Sequence, residues 1–388
     1  MSTEKKETIW TRNFIVLCVM NFVGFLGQTA INSLMQIHMD NLQASATVTG
    51  VVIGISSGVA LLMRPVAGSI IDGASKKFLL QLCVFLYAVA IFGYSISGTI
   101  FLTIVFRVVF GLGMGFFGAV NLAMATESLP KSKIASGIGI FSLMTVAGQA
   151  IGPMICIGVA EKYGVSKAFL LAGTFSFMGF LLGFLLKYPK QQRGKIDIRL
   201  SGAFAREAML PGILFFLLMA TSSSITSFIY LFAADKGVPG VARFFLVNAI
   251  ILVIVRPIVG KISDRYGVLK TLLPSLAIFA VMLLLMPQMK NEFMLFVMSA
   301  LYSLGYGTAF PSMQALCMKL TPEDKRGAGT NTFYLFSDLG LFVGPVVAGW
   351  LKDAFGFDTM YVCMVSLLVI SAVILFVWKK KDPSMKGV

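Results

Sequence analysis

Charge is scarce in this chain. Lys, Arg, Asp and Glu make up 13% of its 388 residues, about half the share usual for a soluble domain. The shortage excludes an ordinary water-exposed surface over most of the molecule. Histidine is nearly absent: His38 stands alone and is assigned no role. No histidine cluster is available to hold a metal or to act as base to a nucleophile. The five cysteines, Cys18, Cys83, Cys156, Cys317 and Cys363, fall in apolar stretches without metal-ligand spacing. They read as small buried apolar residues, and no disulfide is expected. A glycine-rich phosphate-binding loop is also missing, so no ATP-driven step is encoded. Together these absences argue against an enzyme and against a metal or organic cofactor.

What the chain has is apolar length. Hydrophobic residues make up 57% of it, with a mean hydropathy of +0.87. Long apolar runs alternate with short polar knots from Phe14 to Trp378. A bilayer span needs roughly 20 mostly apolar residues, and only a helix or a closed barrel hides its polar backbone there. The runs are long and do not alternate, which predicts helices. Twelve spans are predicted, at residues 13–36, 47–70, 78–96, 101–124, 133–158, 165–186, 209–232, 241–262, 268–287, 293–316, 327–350 and 358–378. The first is too long for the core of a cleavable signal peptide and carries Asn21, Gln28 and Asn32.

The net charge of +15 would suit nucleic acid, but its placement suits a bilayer. Only Lys162, Lys167, Lys236, Arg243, Lys290 and Lys352 fall on one side of the predicted spans. The other Lys and Arg outside spans fall on the side that carries both termini. By the positive-inside rule both termini are expected in the cytoplasm, in the cytoplasmic membrane of the cell. A lipid bilayer and a small-molecule substrate are the expected partners, nucleic acid is not, and a monomer is the expected functional unit.

The pattern R-P-x-x-G-x-x-x-D occurs at Arg64, Pro65, Gly68 and Asp72, and again 192 positions later at Arg256, Pro257, Gly260 and Asp264. The same offset pairs Gly113 with Gly305, Pro130 with Pro322, Gly148 with Gly340, Gly152-Pro153 with Gly344-Pro345, and Gly164 with Gly356. So many pairs at one offset define an internal repeat. Each repeat has six spans, an even number, so the halves run parallel about an axis along the membrane normal. The predicted organisation is a six-helix half at 1–187, a cytoplasmic linker at 188–208 and a second six-helix half at 209–388.

Two six-helix halves with these motifs resemble the major facilitator superfamily, over essentially the whole chain. After span 2 the family pattern G-x-x-x-D-R-x-G-R-R/K is met by Gly68, Asp72, Lys76 and Lys77, without the central Arg and Gly. In span 4 the pattern R-x-x-x-G-x-G is met by Arg107, Gly111 and Gly113, with Phe110 where the family often has Gln. In span 5 the antiporter pattern G-x8-G-x3-G-P-x2-G-G is met by Gly139, Gly148, Gly152 and Pro153, while Cys156-Ile157 replaces the last pair. The span-5 match resembles the drug/proton antiporter-like branch. The resemblance implies an all-α fold of twelve transmembrane helices, a cavity lined by spans 1, 4, 7 and 10, and spans 2 and 11 facing across the seam between halves. It also implies alternating access and a proton-coupling role for Arg107.

Ionisable residues inside spans are functional hypotheses by default. Four are candidates: Arg64, Arg107, Arg256 and Asp338. Asp338 is the only carboxylate well inside a span, and its repeat mate is Val146. With spans 2 and 11 facing each other as the resemblance implies, Asp338 and Arg64 come to similar depths from the same side, and they are expected to pair in the outward-open state, with protonation or substrate breaking the pair. Glu127, at the inner end of span 4, is a second proton-coupling candidate. Arg64, Asp72, Arg256, Asp264, Gly148, Gly152 and Pro153 are the expected interdomain gate. Gly148 and Gly152 share one helical face, opposite Gly139, which suits tight packing across the seam.

Uncharged polar faces mark the expected cavity wall: Asn21, Gln28 and Asn32 on span 1, Asn121 on span 4, Ser223, Thr226 and Tyr230 on span 7, and Tyr302 and Tyr306 on span 10. The embedded charges sum to three Arg against one Asp, a balance that favours neutral or anionic ligands. The expected function is proton-coupled efflux of small organic molecules, with the proton gradient as energy source. The alternatives are a proton symporter or exchanger for an organic anion, with Arg64 or Arg256 holding it, and a membrane sensor that has lost transport.

Overall fold

The computed structural model describes residues 8–73, 75–130, 133–188, 204–322 and 325–381. Side chains at 66–69, 71–73, 135, 256–257, 260–261, 264, 266, 326 and 379–381 also lie outside the described set. Asp72, Arg256 and Asp264 of the expected gate therefore lie outside the described residues, as does most of the expected linker.

Eleven α-helices follow in order: α1 (Arg12–Asn41), α2 (Ala46–Gly73), α3 (Lys76–Ile96), α4 (Ile100–Glu127), α5 (Ile134–Tyr163), α6 (Val165–Leu182), α7 (Met209–Asp235), α8 (Val241–Tyr266), α9 (Val268–Leu285), α10 (Glu292–Leu320) and α11 (Arg326–Lys381). No strand occurs among the described residues. Several helices start where a short polar side chain satisfies an orphan N–H. Thr11 accepts from the Phe14 amide, Ser75 from Phe78, Thr99 from Leu102 and Asn291 from Met294.

Counted over the described residues, ten of these helices are long and apolar enough to cross a membrane, and Val241–Val255 of α8 is a further apolar stretch. α11 is unlike the rest. Its apolar stretch of 52 residues would be about 78 Å long as one straight helix, far more than one bilayer core. Gly356 interrupts it at φ 82° and ψ 171°, a conformation open to glycine and costly to other residues. The outer surface of the bundle is apolar, with Phe101, Ile254 and Phe376 among its exposed residues.

Two hydrophobic cores form. One joins Phe14, Leu34, Tyr87, Tyr94, Phe117 and Phe169 from α1–α6. The other joins Phe215, Phe228, Phe232, Phe244, Phe279 and Tyr361 from α7–α11. Packing repeats with the sequence: α1 lies on α5 as α7 lies on α11, and α2 on α4 as α8 on α10.

The glycines of α5 hold this packing, and here the gate expectation is corrected. A Cβ at Gly148 would meet the Phe22 carbonyl at 2.7 Å, and one at Gly152 would meet Leu26 backbone. Both belong to α1, so these glycines pack α5 within its own half. Their mates Gly340 and Gly344 do the same for α11 on α7, against Phe216, Met219 and Ala220. Gly139 has nothing within 4 Å.

The halves meet through α2–α11, α5–α8 and α1–α7. Other glycines bring α2 and α11 together. Gly50 lies against the Pro345 carbonyl, Gly54 and Gly58 lie under Phe342, and Gly349 lies against Ala46. Asp353 then caps α2 across the seam, accepting from the Ala46 amide at 3.1 Å, the Thr47 amide at 2.7 Å and the Thr47 hydroxyl at 2.7 Å. Between α1 and α7, the Gln36 side chain donates to the Thr226 carbonyl at 2.9 Å and accepts from the Tyr230 amide at 3.0 Å. Those are two groups that a regular helix pairs with each other. These contacts lie at the end of the bundle opposite the termini, and that end of the seam is joined.

Candidate functional site

The seam's ion pair comes from two sequence repeats that differ. Arg64 on α2 approaches Asp338 on α11, with Nε–Oδ2 at 2.6 Å and Nη2–Oδ1 at 3.4 Å. Asp338 is 3% exposed and Arg64 19% at the side chain, so the carboxylate sits in a low-dielectric setting with a single cation opposite. The guanidinium also lies 5.4 Å over the Tyr334 ring. A planar fork on a carboxylate is the strongest form of charge-assisted bond. In apolar surroundings, breaking it by removing one partner is costly. The pair coexists with the joined seam at the end opposite the termini. It is therefore not confined to a conformer open at that end, which corrects the expectation of pairing in the outward-open state.

Arg107 does not reach an interface. It is fully buried, with Nη1 at 3.5 Å from Asn32 Oδ1 and 3.4 Å from Ser56 Oγ, and its guanidinium is 5.7 Å over the Tyr94 ring. Glu127 stands apart from both arginines, at the end of α4, where Lys76 and the Tyr188 hydroxyl both reach it. At 40% exposed, it is a clasp at the terminus-bearing end of the first half.

A cavity of about 220 Å³ lies between the halves. α1 contributes Thr29, Asn32 and Ser33; α5 contributes Gln149 and Pro153; α7 contributes Ser222 and Thr226; α8 contributes Asn248; α10 contributes Tyr302 and Tyr306. A smaller pocket of about 130 Å³ adjoins it through Thr29, Asn32 and Leu341, and adds Gln28, Ser56, Ser57, Ser223 and Ser227. The Tyr302 and Tyr306 rings stack at 5.2 Å and 15°, and the Tyr302 hydroxyl pairs with Ser222 at 2.7 Å.

The described wall of both pockets carries no charged side chain. Two of the three embedded arginines stand outside this wall: Arg64 is taken by Asp338, and Arg107 stands behind the wall. Gln28, Asn32, Ser223, Thr226, Tyr302 and Tyr306 line these pockets. Asn21 and Asn121 do not. They bond each other at 3.0 Å, and Asn21 also donates to Thr145 and the Phe141 carbonyl, which ties both into the packing of the first half. Tyr230 faces a separate pocket with Glu161 and Val238. Pro153 lines the cavity rather than the seam.

Gln149, Asn248 and Ser56 were missed. Each lies in a span read for its glycines or arginines rather than for its uncharged polar residues, and Ser56 and Asn248 are repeat mates at the 192 offset. That coincidence of two polar residues at one repeat position was the available signal. Tyr306→Ala is expected to weaken binding of aromatic ligands about 3- to 10-fold, the worth of one aromatic pair, measured by titrating melting temperature against ligand.

A cavity between two pseudo-symmetric helical halves, with a buried ion pair on the seam, defines a membrane transporter rather than a soluble receptor. The chain belongs to the Major Facilitator Superfamily, whose family model matches residues 17–267 and 244–387. It is 23% identical over 388 residues to the Staphylopine export protein of Staphylococcus aureus, covering 95% of this chain and 96% of that one. It is 24% identical over 377 residues to the Multi-drug resistance efflux pump PmrA of Streptococcus pneumoniae, covering 92% and 93%. Among solved structures, the nucleoside transporter NupG superposes with a TM-score of 0.78 at 15% identity, covering 95% of this chain and 100% of that one. A bacterial homologue of the lysosomal transporter Spinster, inward-facing and unoccupied, gives 0.76 at 14%, covering 94% and 95%.

Proposed function

We propose that this protein exports small organic molecules across the cytoplasmic membrane in exchange for protons, by alternating access. With α11 counted as two spans meeting at Gly356, the chain crosses the bilayer twelve times, with both termini in the cytoplasm. The seam joined by Gly50, Gly349 and Asp353 is then the outer one, and the cavity loads from the cytoplasm.

The observation that carries the proposal is the Arg64–Asp338 pair across the seam. Ionised Asp338 holds Arg64 and fixes how α2 and α11 sit on each other. Protonated Asp338 no longer neutralises Arg64, so the bond that fixes their register is lost. Substrate enters while Asp338 is charged and leaves to the outside. A proton taken up there returns the protein inward. The efflux relatives support the direction, and the uncharged cavity wall supports lipophilic, hydrogen-bonding substrates. The wall gives the organic-anion alternative no arginine at Arg64.

The test uses purified protein in liposomes with an imposed pH gradient and a trapped pH dye. Ethidium, a neutral lipophilic dye and an anionic dye are followed in parallel. Uphill movement of a dye, coupled to opposite proton movement and abolished by collapsing the gradient, is the expected result. Gradient-independent behaviour of all three dyes would overturn the proposal.

A further inference from the structure

Arg107 is a buried cation without a counter-charge. Its side chain is 0% exposed, and no ion pair is formed with it among the described residues. Its hydrogen bonds are the long ones to Asn32 and Ser56, while Nε and Nη2 have no partner. An isolated charge out of water costs several kcal/mol even after relaxation, so native proteins pair buried charges. The repeat supplies a contrast. The mate of Arg107 is Ser299, which is satisfied by the Phe244 carbonyl at 2.6 Å. Helix packing at this position does not require a cation.

Both partners of Arg107 are wall residues of the smaller pocket. That wall also carries unpartnered polar atoms, Gln28 Oε1 and Ser227 Oγ, and Ser227 is fully buried. Ser57, 7% exposed, completes a polar rim on the α2 side. A positive charge stands one side chain behind the wall, in front of it is a pocket of hydroxyls and amides, and the pocket shares Thr29, Asn32 and Leu341 with the main cavity. A neutral ligand would leave the guanidinium uncompensated.

We propose that this pocket is a subsite for a carboxylate of the transported molecule, which enters against Asn32, Ser56 and Ser57 and gives Arg107 its missing counter-charge. The inference rests on the export reading and narrows its substrate class: an apolar or aromatic body against Tyr302 and Tyr306, and a carboxylate toward Arg107. Asn32 faces both pockets, so one ligand can span them. Arg64 has no part in this site because Asp338 already occupies it.

The test is thermal melting of the detergent-purified full chain with benzoate and acetate, each against its amide, benzamide and acetamide. Each reading is taken beside Arg107→Gln in the same buffer, so that general salt effects cancel. Benzoate is expected to raise the melting temperature of the wild type with concentration, with an apparent affinity about 10-fold or more above that of benzamide, as a charged hydrogen bond would give. The shift is expected to vanish in Arg107→Gln and to survive in part in Arg107→Lys. Equal responses of wild type and Arg107→Gln to both carboxylates would overturn the subsite. If Arg107→Gln does not fold, Ser56→Val keeps the arginine and fills the wall. It is expected to lose the benzoate shift, and keeping it would equally overturn the subsite. Binding is read without any gradient, which separates the two proposals. Proton-driven flux of neutral dyes without carboxylate binding removes the subsite alone, and carboxylate binding without proton-driven flux removes the exchange mechanism alone.

Discussion

Replacing Asp338 with Asn is expected to stop proton-driven flux and to destabilise the protein by about 3 kcal/mol, the lower end for removing one partner of a buried pair, because Arg64 keeps 19% exposure. Two effects are mixed in that variant, and a second separates them. Arg64→Met with Asp338→Leu removes both charges and keeps similar volume. Such replacements are often neutral or stabilising, so the melting temperature is expected to return to within about 1 kcal/mol of the wild type. Flux is expected to stay below about a tenth of wild type, because the buried carboxylate that can gain and lose a proton opposite Arg64 is then gone. If the double variant transports as well as the wild type, the pair is a static element and the coupling role of Asp338 is dead.

Gly50→Val separates seam from core. A Cβ at Gly50 would run into the Pro345 carbonyl and stand 3.1 Å from the Val346 nitrogen, on the other half of the molecule. The two hydrophobic cores do not include this contact. The expected result is a protein that melts within about 1 kcal/mol of wild type yet cannot close the α2–α11 seam. Flux is expected to fall at least 10-fold, and an engineered cysteine at Ser223 is expected to react with a membrane-impermeant maleimide from the outside. Gly344→Val makes the contrast. Its Cβ would stand 2.7 Å from Ala220 Cα within one half, and overpacking there is expected to cost about 1–3 kcal/mol. Equal loss of stability in both variants would mean that the seam is part of the folded core.

The large-scale organisation was legible because it repeats. One offset of 192 carried the repeated packing, in which α1 lies on α5 as α7 lies on α11, and the glycines that hold it. The meeting of Arg64 and Asp338 was legible from two things together: the family resemblance sets spans 2 and 11 across the seam, and helical rise converts sequence distance to depth. Rotation is where the reading failed. Helical geometry says that Gly148 and Gly152 share a face, but not which helix fills it, and α1 rather than the other half does. Asn21 looks like Asn32 in sequence, yet Asn21 is consumed by Asn121 and Thr145 while Asn32 lines the cavity. Gln149 follows Ser142 and Thr145 in its span and Asn248 follows Arg243, so sequence spacing did not single out which of these polar residues reaches the cavity.

The Asp353 cap on α2 has no counterpart across the repeat. At the 192 offset, Thr47, which gives Asp353 both an amide and a hydroxyl, corresponds to Pro239, and Asp353 corresponds to Glu161. Proline has no N–H to give. Glu161 instead borders an open pocket of about 380 Å³ with Pro239 and Gly240. The two seams differ in fastening at the rim opposite the termini: α2–α11 is buttoned there by Asp353, and among the described residues Pro239 and Glu161 form no such cap for α8. When such a bundle rocks, the buttoned edge behaves as the spine of a book and the loose edge as its pages. On the proposed export reading, the gap at that rim would open as a wedge, wider beside α5 and α8 than beside α2 and α11.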